Sequence, residues 1–177
     1  MAASHPRHGL AGLLVLLLCS GVRAYPALFV ARYAKSCTSH PESALMGGRG
    51  SGHMAPIKDE ATTLQVLLGG KAVTKLCPGS AHAVRVSFPI PRFGLLTASA
   101  GEFAEGDPWD CPNRVVLDKA RQEDFEEALK VPCSGSSSIE LRVTSSNGER
   151  RSFEQTGLTL QVDSSCAAAA CNSGKSG

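Results

Sequence analysis

Hydrophobic and polar positions alternate with a period of two in several stretches of the chain. In HAVRVSF, His82, Val84, Val86 and Phe88 share one face, and Ala83, Arg85 and Ser87 share the other. That period marks a half-buried β-strand. Pro89 and Pro91 are expected to stop it, because proline has no N–H to give to a ladder. Ile139, Leu141 and Val143 alternate with Glu140 and Arg142, and Leu158, Leu160 and Val162 alternate with Thr159 and Gln161. Asn147-Gly148 lies between these two runs as a hairpin signal, so they are expected to pair. TTLQVLLGG puts Leu64, Val66 and Leu68 on one face and ends in the turn pair Gly69-Gly70, with KAVTKL as its return strand. FGLLTASA starts a further strand and RVVL a brief one.

Two regions depart from this alternation. In DKARQEDFEEALK, Asp118 stands at the start and Lys130 at the end. Leu117, Ala120, Phe125, Ala128 and Leu129 make a narrow apolar stripe, which predicts a short helix over 118–130. Residues 37–58 contain MGGRGSGHMAP, whose small side chains predict a loop. Residues 25–36 predict a short strand or a docking segment. No glycine-rich phosphate loop follows a strand, and no strand–helix unit repeats, which argues against a doubly wound α/β enzyme. Six or seven short strands with one apolar face each are satisfied by a second sheet. The expected fold is all-β: an immunoglobulin-like antiparallel β-sandwich with one short helix insertion, stabilised by disulfides.

The start of the chain changes the address. Arg7, with His5 and His8, precedes an apolar run from Leu10 to Cys19, and Val22 and Ala24 stand three and one residues before Tyr25. This is the pattern of a cleaved secretory signal over 1–24. The apolar run is about ten residues, roughly half of what a ~30 Å hydrocarbon core requires. The expected product is secreted and extracellular, without stable membrane insertion after signal cleavage. Cleavage would remove one of seven cysteines and leave Cys37, Cys77, Cys111, Cys133, Cys166 and Cys171. An even count in an oxidising compartment argues for three disulfides whose pairing the sequence leaves open. One of the closely spaced Cys166 and Cys171 is expected to pin the tail to an earlier strand or loop. Residues 25–165 are then a single β-sandwich domain, and 166–177 a disulfide-tethered low-complexity tail.

Charge and composition exclude several functions. The 177 residues carry 18 Lys and Arg against 16 Asp and Glu; Arg7 and Arg23 fall in the signal, which leaves the remainder neutral. Attraction to nucleic acid is not indicated. Aromatics make up 5% of the chain, too few for a stacking platform.

Candidate chemistry is sparse. His40, His53 and His82 survive cleavage, and Met46 and Met54 lie near the first two. Histidine with methionine outside the cell suits copper, and histidine suits zinc. Solvent-facing loop histidines, and an edge-of-core place for His82, are the simpler readings. Glu102, Glu105, Asp107 and Asp110 crowd one loop beside Trp109. Carboxylates beside an aromatic suit sugar hydrolysis or calcium; a solvated loop that meets a partner needs less. No Gly-x-Ser-x-Gly elbow is present, and no catalytic residue or cofactor is assigned.

Phe93, Gly94, Leu95, Leu96, Ala98, Gly101 and Phe103, in RFGLLTASAGEF, resemble a pattern of the Reeler domain. Cys37, the SGHMAP stretch, Pro78-Gly79 before HAVRVSF, and Cys111 are similar to further features of that family. The resemblance spans roughly residues 37–115. It implies an immunoglobulin-like sandwich of extracellular matrix and surface proteins, with no catalytic residues to carry over. The expected function is therefore a non-catalytic secreted binding, adhesion or matrix module that recognises an extracellular protein or glycan through its loops, with no nucleic acid partner. The alternatives are a copper- or zinc-binding redox protein using His40, His53 and His82, and a small hydrolase centred on the acidic loop.

Overall fold

A computed structural model describes residues 25–46, 52–106, 111–147 and 152–172. The signal-like segment 1–24, and Asp107, Trp109 and Asp110 of the acidic loop, lie outside the described residues. The described chain is mostly β-strand: β1 (Leu45–Met46), β2 (Gly52–Lys58), β3 (Thr63–Leu68), β4 (Lys71–Ala72), β5 (Lys75–Leu76), β6 (Ala81–Ala98), β7 (Glu102–Phe103), β8 (Arg114–Lys130), β9 (Ser138–Ser146) and β10 (Ser152–Val162). Two short helices flank them, α1 (Ala27–Arg32) and α2 (Ala169–Asn172).

Hydrogen bonding joins the strands in one sheet ordered β1-β2-β10-β9-β6-β3-β4, with β8 on β6, β7 on β8 and β5 on β10. β6 and β8 form its spine as a long antiparallel pair running from Ala81↔Lys130 to Thr97↔Arg114. The first half of β6 also pairs with β3, and the second half with β9. The sheet thereby folds over, and its two arms share one core. Val66, Val84, Val86 and Leu129 from one arm meet Leu96, Val115, Leu141 and Leu160 from the other. The sheet is not purely antiparallel, because β10 takes both β2 and β5 as parallel neighbours.

The expected prolines do not end a strand. β6 continues through Pro89 and Pro91, and its register against β8 shifts between Ser87 and Arg92. The prolines sit in that irregularity, where the ladder asks no N–H of them.

The helix expected over 118–130 is absent, since these residues belong to β8. Along its second half Phe125, Glu127 and Leu129 are the more buried positions, as is Val131 just beyond its end, and Asp124, Glu126, Ala128 and Lys130 are exposed. The true period is two. The charged Glu127 on the inner face hid it, and Ala120 and Ala128, assigned to an apolar stripe, are solvent-facing. The helices lie instead near the two ends of the described chain. Residues 37–58, expected as a loop, include β1 and β2.

Leu95 and Leu96 point to opposite faces of β6, and both are fully buried. Leu96 enters the main core. Leu95 joins Phe153 under a lid made by Tyr25, Phe29 and Val30 of the α1 segment. The Tyr25 hydroxyl donates to the Thr144 carbonyl at 2.8 Å. Residues 25–36 therefore dock rather than pair.

Three disulfides close the body: Cys37–Cys111, Cys77–Cys166 and Cys133–Cys171. Two of them hold the tail. Gly79 has a φ of 75°, and a Cβ there would collide with the Cys171 sulfur, so the tail seats on a glycine turn.

Candidate functional site

The three histidines are set apart by the fold. His40 is buried, with Nδ1 at 2.7 Å from the Thr144 hydroxyl and Nε2 at 2.8 Å from that of Thr97. Burial, followed by the charges of Arg142 and Arg114, lowers its pKa to about 3. It is a neutral ring bracing β6 against β9. His53 stacks on Phe153 at 4.5 Å and meets Tyr25 edge-on at 5.8 Å. Its Nδ1 lies 3.3 Å from the Ser146 hydroxyl. His82 is fully buried, and its Nε2 accepts the Cys77 backbone N–H at 3.2 Å. Burial lowers its pKa against a weaker opposing pull from the Ser80 backbone. Among the described residues no three His, Cys, Asp or Glu side chains come together to hold a metal ion. The copper or zinc alternative thus has no site among them.

A second set of charges is consumed inside the fold. Arg92, on β6, is 5% exposed. Its Nη1 donates to Asp59 Oδ2 at 2.8 Å and to the Ser145 hydroxyl at 3.1 Å, and it pairs with Glu154. Asp59 closes the β2–β3 turn by accepting the N–H groups of Ala61 and Thr62 and the Thr62 hydroxyl. Burial pushes the Asp59 carboxyl up. The Thr62 bonds, the Ala61 N–H and Arg92 outweigh that push, and the net shift is downward.

The acidic loop divides. Glu102 pairs across the ladder with Lys130 and lines a cavity of about 260 Å³ shared with Gly79, Pro112 and Pro132. Glu105 lines a different one, a groove of about 560 Å³ against β8. The two carboxylates therefore do not converge as a hydrolase requires.

The groove is built from β8 and the chain just after β7. Val115, Leu117 and Phe125 give it apolar walls. Four carboxylates reach it, from Glu105, Asp118, Glu126 and Glu127, against one lysine, Lys119. Arg85 pairs with Glu126 at 2.7 Å on the neighbouring sheet face, which leaves the other three acids to set the field. Glu127 is 8% exposed, and its Oε1 accepts the N–H groups of Glu105 at 3.1 Å and Ala128 at 3.2 Å. The carboxylate is thus fixed in place within the wall. Sequence reasoning missed Asp118, Phe125 and Glu127 as groove residues because it placed them on a helix. The recurrence of Phe125, Leu129 and Val131 at even spacing was the available signal.

No protein-family model and no curated protein matches the chain. It does resemble, weakly, solved reeler domains. The crystal structure of the reelin-N domain of F-spondin is 20% identical, with a TM-score of 0.46 over 60% of this chain and 92% of that one. Two crystal structures of the human F-spondin reeler domain are 17% and 19% identical, with TM-scores of 0.46 and 0.47. They cover 61% of this chain and 94% and 93% of theirs.

Proposed function

We propose that this protein is a non-catalytic secreted binding module that recognises an extracellular protein through the groove along β8. The observation that carries the reading is the Glu127 carboxylate, held by two backbone N–H groups in the wall of an otherwise apolar and acidic groove. A fixed carboxylate in a partly apolar cleft suits a cationic side chain whose stem packs on Phe125 and Leu117. Its sign favours a protein partner over a sulfated glycan, which the carboxylates would repel.

The leader pattern of 1–24 and the three disulfides support an extracellular setting. No helix among the described residues is long and apolar enough to cross a membrane. We read residues 25–165 as one immunoglobulin-like sandwich, on the support of two arms facing across a single core, and 166–177 as its tethered tail. Glu105, the one acid of the 105–110 stretch among the described residues, lines the groove.

Surface plasmon resonance on immobilised poly-lysine and on immobilised heparin tests the reading. The wild-type chain is expected to be retained on poly-lysine, and a Glu105→Gln/Asp118→Asn double variant to be retained less. Retention on heparin instead, or equal retention of wild type and variant on poly-lysine, would reject it.

A further inference from the structure

Among the described residues, strand β8 has a long neighbour, β6, along one edge and only the short β7 along the other. β6 pairs with it from Lys130 to Asp124 and again from Leu117 to Arg114, with a register break between, while the two-residue β7 covers the opposite edge only at Leu129 and Lys130. The Ala104 N–H adds a bond to the Ala128 carbonyl at 2.9 Å. From there back to Arg114, no described strand pairs with that outer edge.

The lining of the groove shows that it runs along this edge. Val115, Val116 and Leu117, and again Phe125, Glu126 and Glu127, touch it within the two stretches of β8 that pair regularly with β6. Successive side chains of a strand point to opposite faces. A cavity that meets three in a row on each of two regularly paired stretches therefore meets the strand side-on, along the edge to which no described strand is paired.

Charge decides what such an edge would take. A second copy of β8 would bring Asp118, Glu123, Asp124, Glu126 and Glu127 along with Lys119 and Arg121, a mixed set that answers the acidic groove less well than a basic segment does. A segment bearing lysine or arginine meets the opposite field. Glu127 sharpens the choice. One oxygen is held by the Glu105 and Ala128 N–H groups, and Glu127 itself lines the groove. A cation seated there gains a carboxylate already oriented at no cost in side-chain entropy.

We propose that β8 accepts an extended, lysine- or arginine-bearing segment of a partner protein as an added strand, with one cation meeting the Glu127 carboxylate. This rests on the groove being a protein-binding site, and adds how the partner is read. Backbone hydrogen bonds along the edge supply affinity, and alternate basic side chains supply selectivity.

Fluorescence anisotropy at low ionic strength tests it. The probe is a labelled peptide roughly ten residues long, of alternating Val and Lys, the length of a long strand. Two further probes carry N-methyl groups on every second amide, one in each register. The unmodified peptide is expected to bind the wild-type chain. It should bind Glu127→Gln about tenfold more weakly, as loss of a charge-assisted bond implies. At least one N-methylated register should lose binding by about tenfold or more, since an added strand bonds through alternate amides. Glu127→Gln keeps the oxygen that accepts the two N–H groups, and an unchanged thermal melt verifies its fold.

If both methylated peptides bind as tightly as the parent while Glu127→Gln still weakens them, strand addition is overturned and the groove reading stands. If binding ignores Glu127→Gln, the assignment of the cation falls. If the parent peptide does not bind, or a heparin oligosaccharide binds in its place, both the inference and the protein-binding reading fall.

Discussion

The Arg92 cluster and the β8 groove are both rich in carboxylates, and they use them in opposite ways. Around Arg92, Asp59 is closed in by a guanidinium, two backbone N–H groups and a hydroxyl. Every charge there is spent on joining β6 to the β2–β3 turn and to β10. In the groove, Glu127 is braced by two backbone N–H groups, and Glu105 and Asp118 line the same cleft, with Lys119 as the one cation among the described residues of the lining. Acidity alone therefore does not mark a site. The distinction is whether the fold itself supplies the cations.

The contrast breaks most sharply at Arg92. Arg92→Leu should leave Asp59 and Glu154 facing each other without their shared cation. Removing one partner of a buried ion pair typically costs about 3–5 kcal/mol. Part of Glu154 is reached by water, which places the expected loss near the lower end. Urea unfolding of wild type and variant measures it. A loss under about 1 kcal/mol would mean that the cluster is not the internal clamp described here.

The sequence showed the strands better than it showed the site, for a physical reason. β9, β10 and the first half of β6 carry one buried and one open face, so their alternation was legible. β3 was legible from its β-branched residues and its Gly69-Gly70 turn, although the adjacent Val66 and Leu67 are both buried. β8 was not. Its inner face holds the charged Glu127 among Phe125 and Leu129, and its bend exposes residues 118–121, so the period of two was interrupted where the groove forms. The same interruption concealed Asp118 and Glu127. The histidines misled in the other direction. His40 sits in CTSHP, which reads as an open loop, yet Thr97 and Thr144, far away in sequence, take both of its nitrogens.

Those histidines sharpen the comparison through pH. The folded pKa of His40 is held down to about 3, and that of His82 is also lowered. In the unfolded chain each titrates near 6.5. As pH falls below about 6.5, the unfolded chain takes up protons that the folded chain refuses, so stability falls with falling pH and is fully present above that value. For His40 the window runs from about 6.5 down to about 3, at up to about 1.4 kcal/mol per pH unit. Asp59 adds to the loss only lower, once pH passes below the usual carboxylate range, because its folded pKa is depressed. Denaturant unfolding across pH 5 to 8 should be flat above about 6.5 and slope below it, by up to about two bound protons' difference between the unfolded and folded chain. His40→Gln should flatten it, leaving the part that belongs to His82. An unaltered slope in the variant would show that His40 is not held neutral.

The groove should give the smallest response of all. Glu105→Gln/Asp118→Asn removes two charges that the described fold does not pair, so stability at neutral pH should move by no more than about 0.5 kcal/mol. The expected sign is a gain, since like charges lining one cleft with Glu127 are relieved. A loss above about 1 kcal/mol in urea unfolding would place these acids with Arg92, as parts of the scaffold. A near-zero change, together with weaker retention on poly-lysine, would separate the two regions as argued: one set of carboxylates holds the fold, and the other is held out for a partner.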